Sequence, residues 1–354
     1  MTGLEYIHKL ALSARDDAMH VINNIALMSS LPAAAVRQAQ DNLISRGRIA
    51  LHFHPDRLVR GNITVIDSLL RDGFYRNQFE THISNGLLSP EIGGQRDHWE
   101  MAYFHQPSLA LKQRPKYGAL DLGFHANGPA PRFGAAYLLS KSELLERCSF
   151  CYLDSYRQPT ERATSSCFEP VFAALMSECF ERDYGLGCED FRPPALVNWL
   201  CNELKPLAEP QSKPVSANLD HYIEAQVHGE VSLLKDIDLL VLDASYRGSE
   251  TGAAASLLCE KYHLSLCWSP SLTLDVEEVP ADYRGKSMPQ LARRVAPDGV
   301  LNVRLIGEAA RSVACGDPEW TQLGSPGELT QQLKLLWHVL LRFGQKNQPV
   351  QGTD

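Results

Sequence analysis

Two short stretches hold residues that can do chemistry. In RIALHFHPDR (48–57), His52 and His54 stand two apart in an apolar run that ends in Pro-Asp-Arg. Side chains alternate faces along a strand, so both imidazoles would point the same way. They can begin a metal site, meet a nucleotide, or hydrogen-bond nearby backbone and finish a half-wet strand. In YIEAQVHG (222–229), Glu224, Gln226 and His228 alternate with Ile223, Ala225 and Val227. A strand would set all three polar groups on one face. The plain alternative is the exposed polar face of an edge strand.

A metal centre at the histidine pair needs further His or Asp ligands on later strand ends. Asp243 after LLVL, His221 and His228 are the candidates, giving a metal-dependent hydrolase as one reading. The eight strand–helix units of the barrel that usually carries such sites are not visible. Cys148 and Cys151 form a lone C-x2-C among nine cysteines without repeating spacing. No second pair stands near it to complete a structural zinc site, so the cysteines read as buried thiols in a reducing compartment.

The elements that must position these residues follow from patterning. Leu4, Ile7, Leu10, Ala11, Ala14, Ala18, Val21, Ile22 and Ile25 recur at helical spacing, and a second helix follows Pro32 to about Ser45. Residues 1–47 are therefore expected to form a helical cap. After the first strand, GNITVIDSLLRDG offers Asn62 as a start signal and Gly73 as a stop around a short amphipathic helix. Residues 74–135 are irregular and rich in Gly, Pro, Arg and aromatic residues, and long irregular segments in compact domains tend to be functional. KYGALDLGF and RFGAAYLLS can each be a strand. Residues 168–206 read as helical, broken at Tyr184–Gly187 and Pro193–Pro194, and 205–220 as a surface loop. DIDLLVLDAS reads as a buried strand, 250–262 as a helix and LSLCW (264–268) as a strand. Ser325 and Glu328 make a capping box with Pro326 at the first helical position of a last helix to about Phe343. Helices and strands mix without regular alternation, which favours an α+β fold.

Thirty-four basic and 42 acidic residues give a net charge of −8, which argues against a broad nucleic-acid surface. No apolar run approaches the ~20 residues of a membrane span. Lys9, Arg15, Asp16 and Asp17 interrupt the apolar stretch that a signal peptide would need.

The order of segments resembles the ADP-ribosyltransferase fold: a strand with His, a short helix, a Gly, an aromatic and Arg-rich stretch, and much later a strand with Glu. HFHPDR, YRNQFETHISNG, GGQRDHWE, RPKYGAL, PRFGAAY, EAQVHGEV and SYRGSETG, in that order over some 200 residues, are similar to a bacterial family of CteC-like effectors, ubiquitin threonine ADP-ribosyltransferases. The resemblance implies a split β-sheet catalytic core over 48–310, with the helical cap before it and a C-terminal helical segment over 311–354. It implies NAD as the consumed cofactor and transfer of ADP-ribose to a protein side chain, with a threonine of ubiquitin as acceptor. It further implies a monomer that is made in the bacterial cytoplasm, exported, and active in host cytoplasm. NAD glycohydrolysis, with water as acceptor, would use nearly the same residues, and a binding module that has lost turnover would keep the fold.

Under that resemblance Glu224 is the catalytic carboxylate, stabilising the oxocarbenium-like state as nicotinamide leaves, with Gln226 and His228 beside it. Arginine-modifying relatives carry Gln or Glu two residues before this Glu. Tyr222 stands there instead, which argues against arginine as the acceptor and leaves a hydroxyl acceptor as the one considered. Such an acceptor benefits from a base, and His228 and Glu80 are candidates. For NAD itself, the expected contacts are His52 and His54 on the first strand, Arg57 and Arg76 (with Arg114 and Arg132) at phosphates, Tyr75 and Phe79 stacking on rings, and Thr81, Ser84 and Asn85 as small polar groups.

Overall fold

Strand β1 (Arg48–Phe53) is buried along nearly its whole length. It lies near the middle of an eight-stranded sheet seen in the computed structural model, which describes residues 1–59, 62–83, 90–204 and 213–346. The other strands are β2 (Lys116–Asp121), β3 (Ala136–Ser140), β4 (Cys148–Tyr152), β5 (Arg162–Thr164), β6 (Ile223–Val227), β7 (Ile237–Asp243) and β8 (Ser265–Ser269). Their spatial order is β8-β7-β3-β1-β2-β6-β4-β5. Only β7 and β8 pair in parallel, with a helix (Glu250–Tyr262) between them in the chain; the other pairings are antiparallel. The fold is thus α+β, built on one large mixed sheet.

The register at β1 creates the feature that matters most. Arg48–Ala50 pair with Asp121–Ala119 of β2, whereas Ala50–Phe53 pair with Leu139–Ala136 of β3. Lys116–Ala119 of β2 pair instead with Val227–Glu224 of β6. Beyond Ala50 the sheet therefore forks. One branch carries Leu51, His52 and Phe53; the other carries Tyr117, Gly118 and Glu224. Gly134 enables the first branch: a Cβ there would stand 2.2 Å from the Phe53 backbone, so no side chain fits beside the strand.

Helix α1 (Gly3–Met28) starts on a capping box of Thr2 and Glu5 and turns Ile7, Ala11, Ala18, Ile22 and Ile25 inward. It packs on α4 (Glu169–Arg182) and on β5. Helix α2 spans Ala33–Arg46. Helix α3 (Val65–Asp72) is capped by Thr64, not by Asn62, and ends at Gly73 in the left-handed region (φ 72°). Asn62 itself has φ 59° and lies before the two-residue strand Ile63–Thr64. Helix α5 spans Val303–Cys315, and α6 (Pro326–Phe343) opens on the Ser325–Glu328 capping box with Pro326 in its first turn. The boundary expected at 310/311 therefore falls inside α5. Ala18, Ile22 and Leu43 at one end of the chain and Leu333, Leu336 and Leu340 at the other share one apolar cluster with the sheet. Among the described residues, no helix is long and apolar enough to cross a membrane.

Candidate functional site

The fork opens onto a cavity of about 390 Å³, within the rough 300–1,000 Å³ range of small-molecule sites. Seven of the residues singled out in the sequence line it: His52, His54, Arg57, Tyr75, Arg76, Thr81 and Glu224. Arg132 lines it as well.

Glu224 sits at the floor, 5% exposed, on a strand buried between β2 and β4 rather than at an edge. Its Oε1 accepts from Gln226 Nε2 at 2.9 Å and its Oε2 from the Ser155 amide at 3.2 Å. Burial, and next the neighbouring Asp154 carboxylate, push its pKa up to about 7; the Ser155 and Gln226 hydrogen bonds pull the other way. The group can therefore be charged or neutral near physiological pH, as acid–base work requires.

Gln226 and His228 share the strand face with Glu224 but do not line the cavity. They stand behind it in a relay. Ser149 Oγ donates to Gln226 Oε1 at 2.7 Å and lies 2.9 Å from His228 Nε2, so His228 donates to the serine. This orients the Gln226 amide with its NH2 toward Glu224. Burial, then Lys116, lowers the His228 pKa to about 4. His228 is a neutral anchor at the far end of the relay, not a base in the cavity. Glu80 is also spoken for: its Oε2 accepts from the Asn77 amide and side chain in a local capping box.

His52 uses both ring nitrogens on backbone. Nδ1 donates to Gly134 O at 3.1 Å, and Nε2 accepts from the Ala130 amide at 3.3 Å. Burial lowers its pKa to about 4, so the ring is neutral, and it packs at 5.0 Å on Tyr137. The ring shapes the cavity wall but offers no free nitrogen to a metal. No group of three His, Cys, Asp or Glu converges as a metal site among the described residues. Cys148 and Cys151, three apart on β4, point to opposite faces.

His54, on the same face as His52, meets Trp337 of α6 edge-on at 6.1 Å. Trp337 Nε1 donates to Pro131 O at 2.9 Å, which ties α6 to the segment carrying Arg132. Lys334, on α6, joins Arg57 and Arg132 in a cationic group, with the neutral His338 one turn further along the helix. Burial, and then Arg132, Arg57 and Arg284, lower the Lys334 pKa to about 8. Burial alone brings Arg57 to about 10. His338 is 3% exposed and held to about 3 by burial, then Arg284, Arg132 and Lys334.

The other expected contacts separate. Tyr75 donates its hydroxyl to His52 O at 3.1 Å. Arg76 pairs with Asp72 at 2.8 Å. Thr81 Oγ1 donates to Asn77 O at 3.1 Å, closing the short Gln78–Thr81 turn. Phe79 is buried under the Arg114 guanidinium at 3.7 Å and does not reach the cavity. Arg114 pairs with Asp97 and Glu100 below the site. Ser84 and Asn85 lie outside the described residues.

Sequence reasoning passed over Arg96, Asp154, Ser155 and Tyr156, which all line the cavity, as does Tyr117, expected only to let its backbone and that of Gly118 approach a ligand. Arg96 stacks over the Tyr117 ring at 4.4 Å, and Tyr117 donates to Glu100 at 3.0 Å. Asp154 and Ser155 follow β4 after Leu153; the signal was LDSYR, a polar turn at a strand end.

The model of a protein family described as of unknown function, DUF3626, matches residues 48–343. The search of curated proteins gives no match.

Proposed function

The chain belongs to the DUF3626 family, and we propose that it is a mono-ADP-ribosyltransferase. It consumes NAD, releases nicotinamide and modifies a protein hydroxyl, with a threonine of ubiquitin as the acceptor that the sequence resemblance implies. The observation that carries this reading is Glu224: a buried carboxylate held by two hydrogen bonds at the floor of a cavity that also presents Arg57 and Arg132. The forked sheet, with a histidine strand on one branch and the glutamate strand on the other, suits the split core of that enzyme class.

In the reaction the bond from the ribose C1′ to the nicotinamide nitrogen breaks, and nicotinamide departs with the electron pair. Positive charge grows on C1′ and the ring oxygen. The Glu224 carboxylate, in a site of low dielectric, stabilises that charge and grips a ribose hydroxyl. Gln226 keeps the carboxylate aimed. Arg57 and Arg132, with Lys334 behind them, suit the diphosphate, because guanidinium binds phosphate oxygens in pairs. Tyr75, Tyr117 and Phe133 offer ring faces for the bases. The acceptor oxygen then bonds to C1′ and its proton leaves to a base. The proposed setting is a bacterial effector that works in a host cell.

Incubating the full chain with NAD and ubiquitin tests this. Nicotinamide release with a mass gain of one ADP-ribose on ubiquitin is the expected result. Release without any protein adduct would make the chain an NAD glycohydrolase, and no release with any acceptor would overturn the reading.

A further inference from the structure

Glu224 has a second carboxylate for a neighbour, and the two differ in depth. Asp154 lines the same cavity but is half-buried, whereas Glu224 is at the floor. The placement follows from strand pairing. β6 and β4 run antiparallel with Ile223 opposite Tyr152, and Leu153 bridges to Ile223 just past the end of β4. Residues after Tyr152 are thereby folded over the start of β6. Leu153 takes φ 65°, turning the chain so that Asp154 and Ser155 face the strand. Ser155 then donates its amide to Glu224, and Tyr222 donates its hydroxyl to Asp154 Oδ2 at 3.1 Å. Asp154 Oδ1 accepts from the Tyr156 amide at 2.9 Å. The carboxylate is fixed by two donors and keeps lone pairs open toward the cavity.

The residues that follow face outward. Tyr156 is 47% exposed and Arg157 is exposed, and both line the cavity mouth. An exposed aromatic and an exposed arginine beside a cavity are the residue types that protein interfaces favour. One short loop thus carries a fixed carboxylate at intermediate depth and a contact surface at the rim.

We propose that Asp154 is the base that takes the proton of the acceptor hydroxyl, and that Asp154–Arg157 is the loop against which the acceptor protein docks. This rests on the transferase reading above and adds a division of labour within it. Glu224 serves the ribose; Asp154 serves the acceptor. As the acceptor oxygen bonds to C1′, its proton passes to Asp154, the charge on the ribose is discharged, and nicotinamide has already taken the electron pair of the broken bond. Tyr222 is a positioning residue that holds Asp154 by its hydroxyl. Water needs no positioned base, because its proton can leave to solvent, so the loss of Asp154 should cost transfer more than it costs hydrolysis of NAD.

The test compares D154N, E224Q and the unaltered full chain, each with NAD and ubiquitin. Nicotinamide release and mass gain on ubiquitin are both followed. Asparagine keeps the shape of Asp154 and can still accept from Tyr222. D154N is expected to lower transfer by about 100-fold or more, the usual contribution of a positioned base, and to lower the ratio of transfer to nicotinamide release. E224Q is expected to lose both. Y222F is expected to lower the ratio of transfer to release in the same direction, by less than D154N does. Circular dichroism and thermal melting would show whether each variant folds. If D154N folds and loses release as severely as transfer, or retains the wild-type ratio of transfer to release, the inference is overturned while the transferase reading survives. If the unaltered chain releases no nicotinamide, the reading itself fails and the inference with it.

Discussion

Gln226 and Glu224, two residues apart on one strand, are joined by a 2.9 Å hydrogen bond from the amide nitrogen to the carboxylate. The bond has a direction because Ser149 donates to the amide oxygen from the neighbouring strand. Without that donor the amide could turn its oxygen toward Glu224 and repel it. Q226A should therefore lower nicotinamide release by about 10–100-fold. S149A should have a smaller effect on rate and cost about 1–3 kcal/mol of stability, since a buried acceptor loses its donor. Steady-state kinetics and denaturant unfolding would read these effects; a folded S149A with the wild-type rate would argue against the relay.

The pKa of Glu224 predicts a pH profile. The carboxylate form is needed to stabilise a cation, so nicotinamide release should rise with pH through about 7 and level off above it. Stability should run the opposite way. The folded state raises this pKa from 4.5, so the contribution is complete below the unfolded value and is lost as pH rises through about 7. E224Q does not titrate and should escape this loss. Thermal melting of both proteins at pH 5 and pH 8 checks this: the stability of E224Q relative to wild type should increase at the higher pH.

His52 should matter to folding rather than to turnover. Removing the ring leaves the Gly134 carbonyl and the Ala130 amide without partners and opens a cavity beside Tyr137. H52A should cost about 2–4 kcal/mol. Rates per folded molecule should change little, and no limb of the pH profile above 5 should belong to this residue, since its pKa lies at about 4. A large fall in kcat with unchanged stability would contradict this.

The cationic wall should govern affinity. R57A and R132A should each raise the KM for NAD about tenfold or more with a smaller change in kcat. Lys334 carries its charge only below about pH 8, so NAD affinity should weaken as pH rises through 8. K334M should abolish that dependence. Titration calorimetry with NAD at pH 7 and pH 9 separates the two proteins.

Much of the frame was legible in the residues because its determinants are local. Alternation marked Ile223–Val227, the apolar run marked Ile237–Asp243, and the Ser325–Glu328 pair with Pro326 marked the start of the last helix. The start of α3 was less legible. Asn62 and Thr64 are both capable caps, and only Thr64 has extended backbone with its hydroxyl on the Asp67 amide.

By itself the sequence determined the α+β content, the β1 strand with its histidine pair, and the common face of Glu224, Gln226 and His228, since face parity needs only the period of a strand. Tertiary structure alone decided which of these meets a ligand. The fork beyond Ala50 is a matter of register between strands far apart in the chain, and it brings Glu224 to the cavity while Gln226 and His228 stay out of its lining. Pairing of β4 with β6 brought Asp154 and Ser155 to Glu224 across about 70 residues. Packing of α6 on the Pro131–Phe133 segment brought Lys334 and His338 behind Arg57 and Arg132. Local periodicity says which way a side chain points; only long-range packing says what it points at.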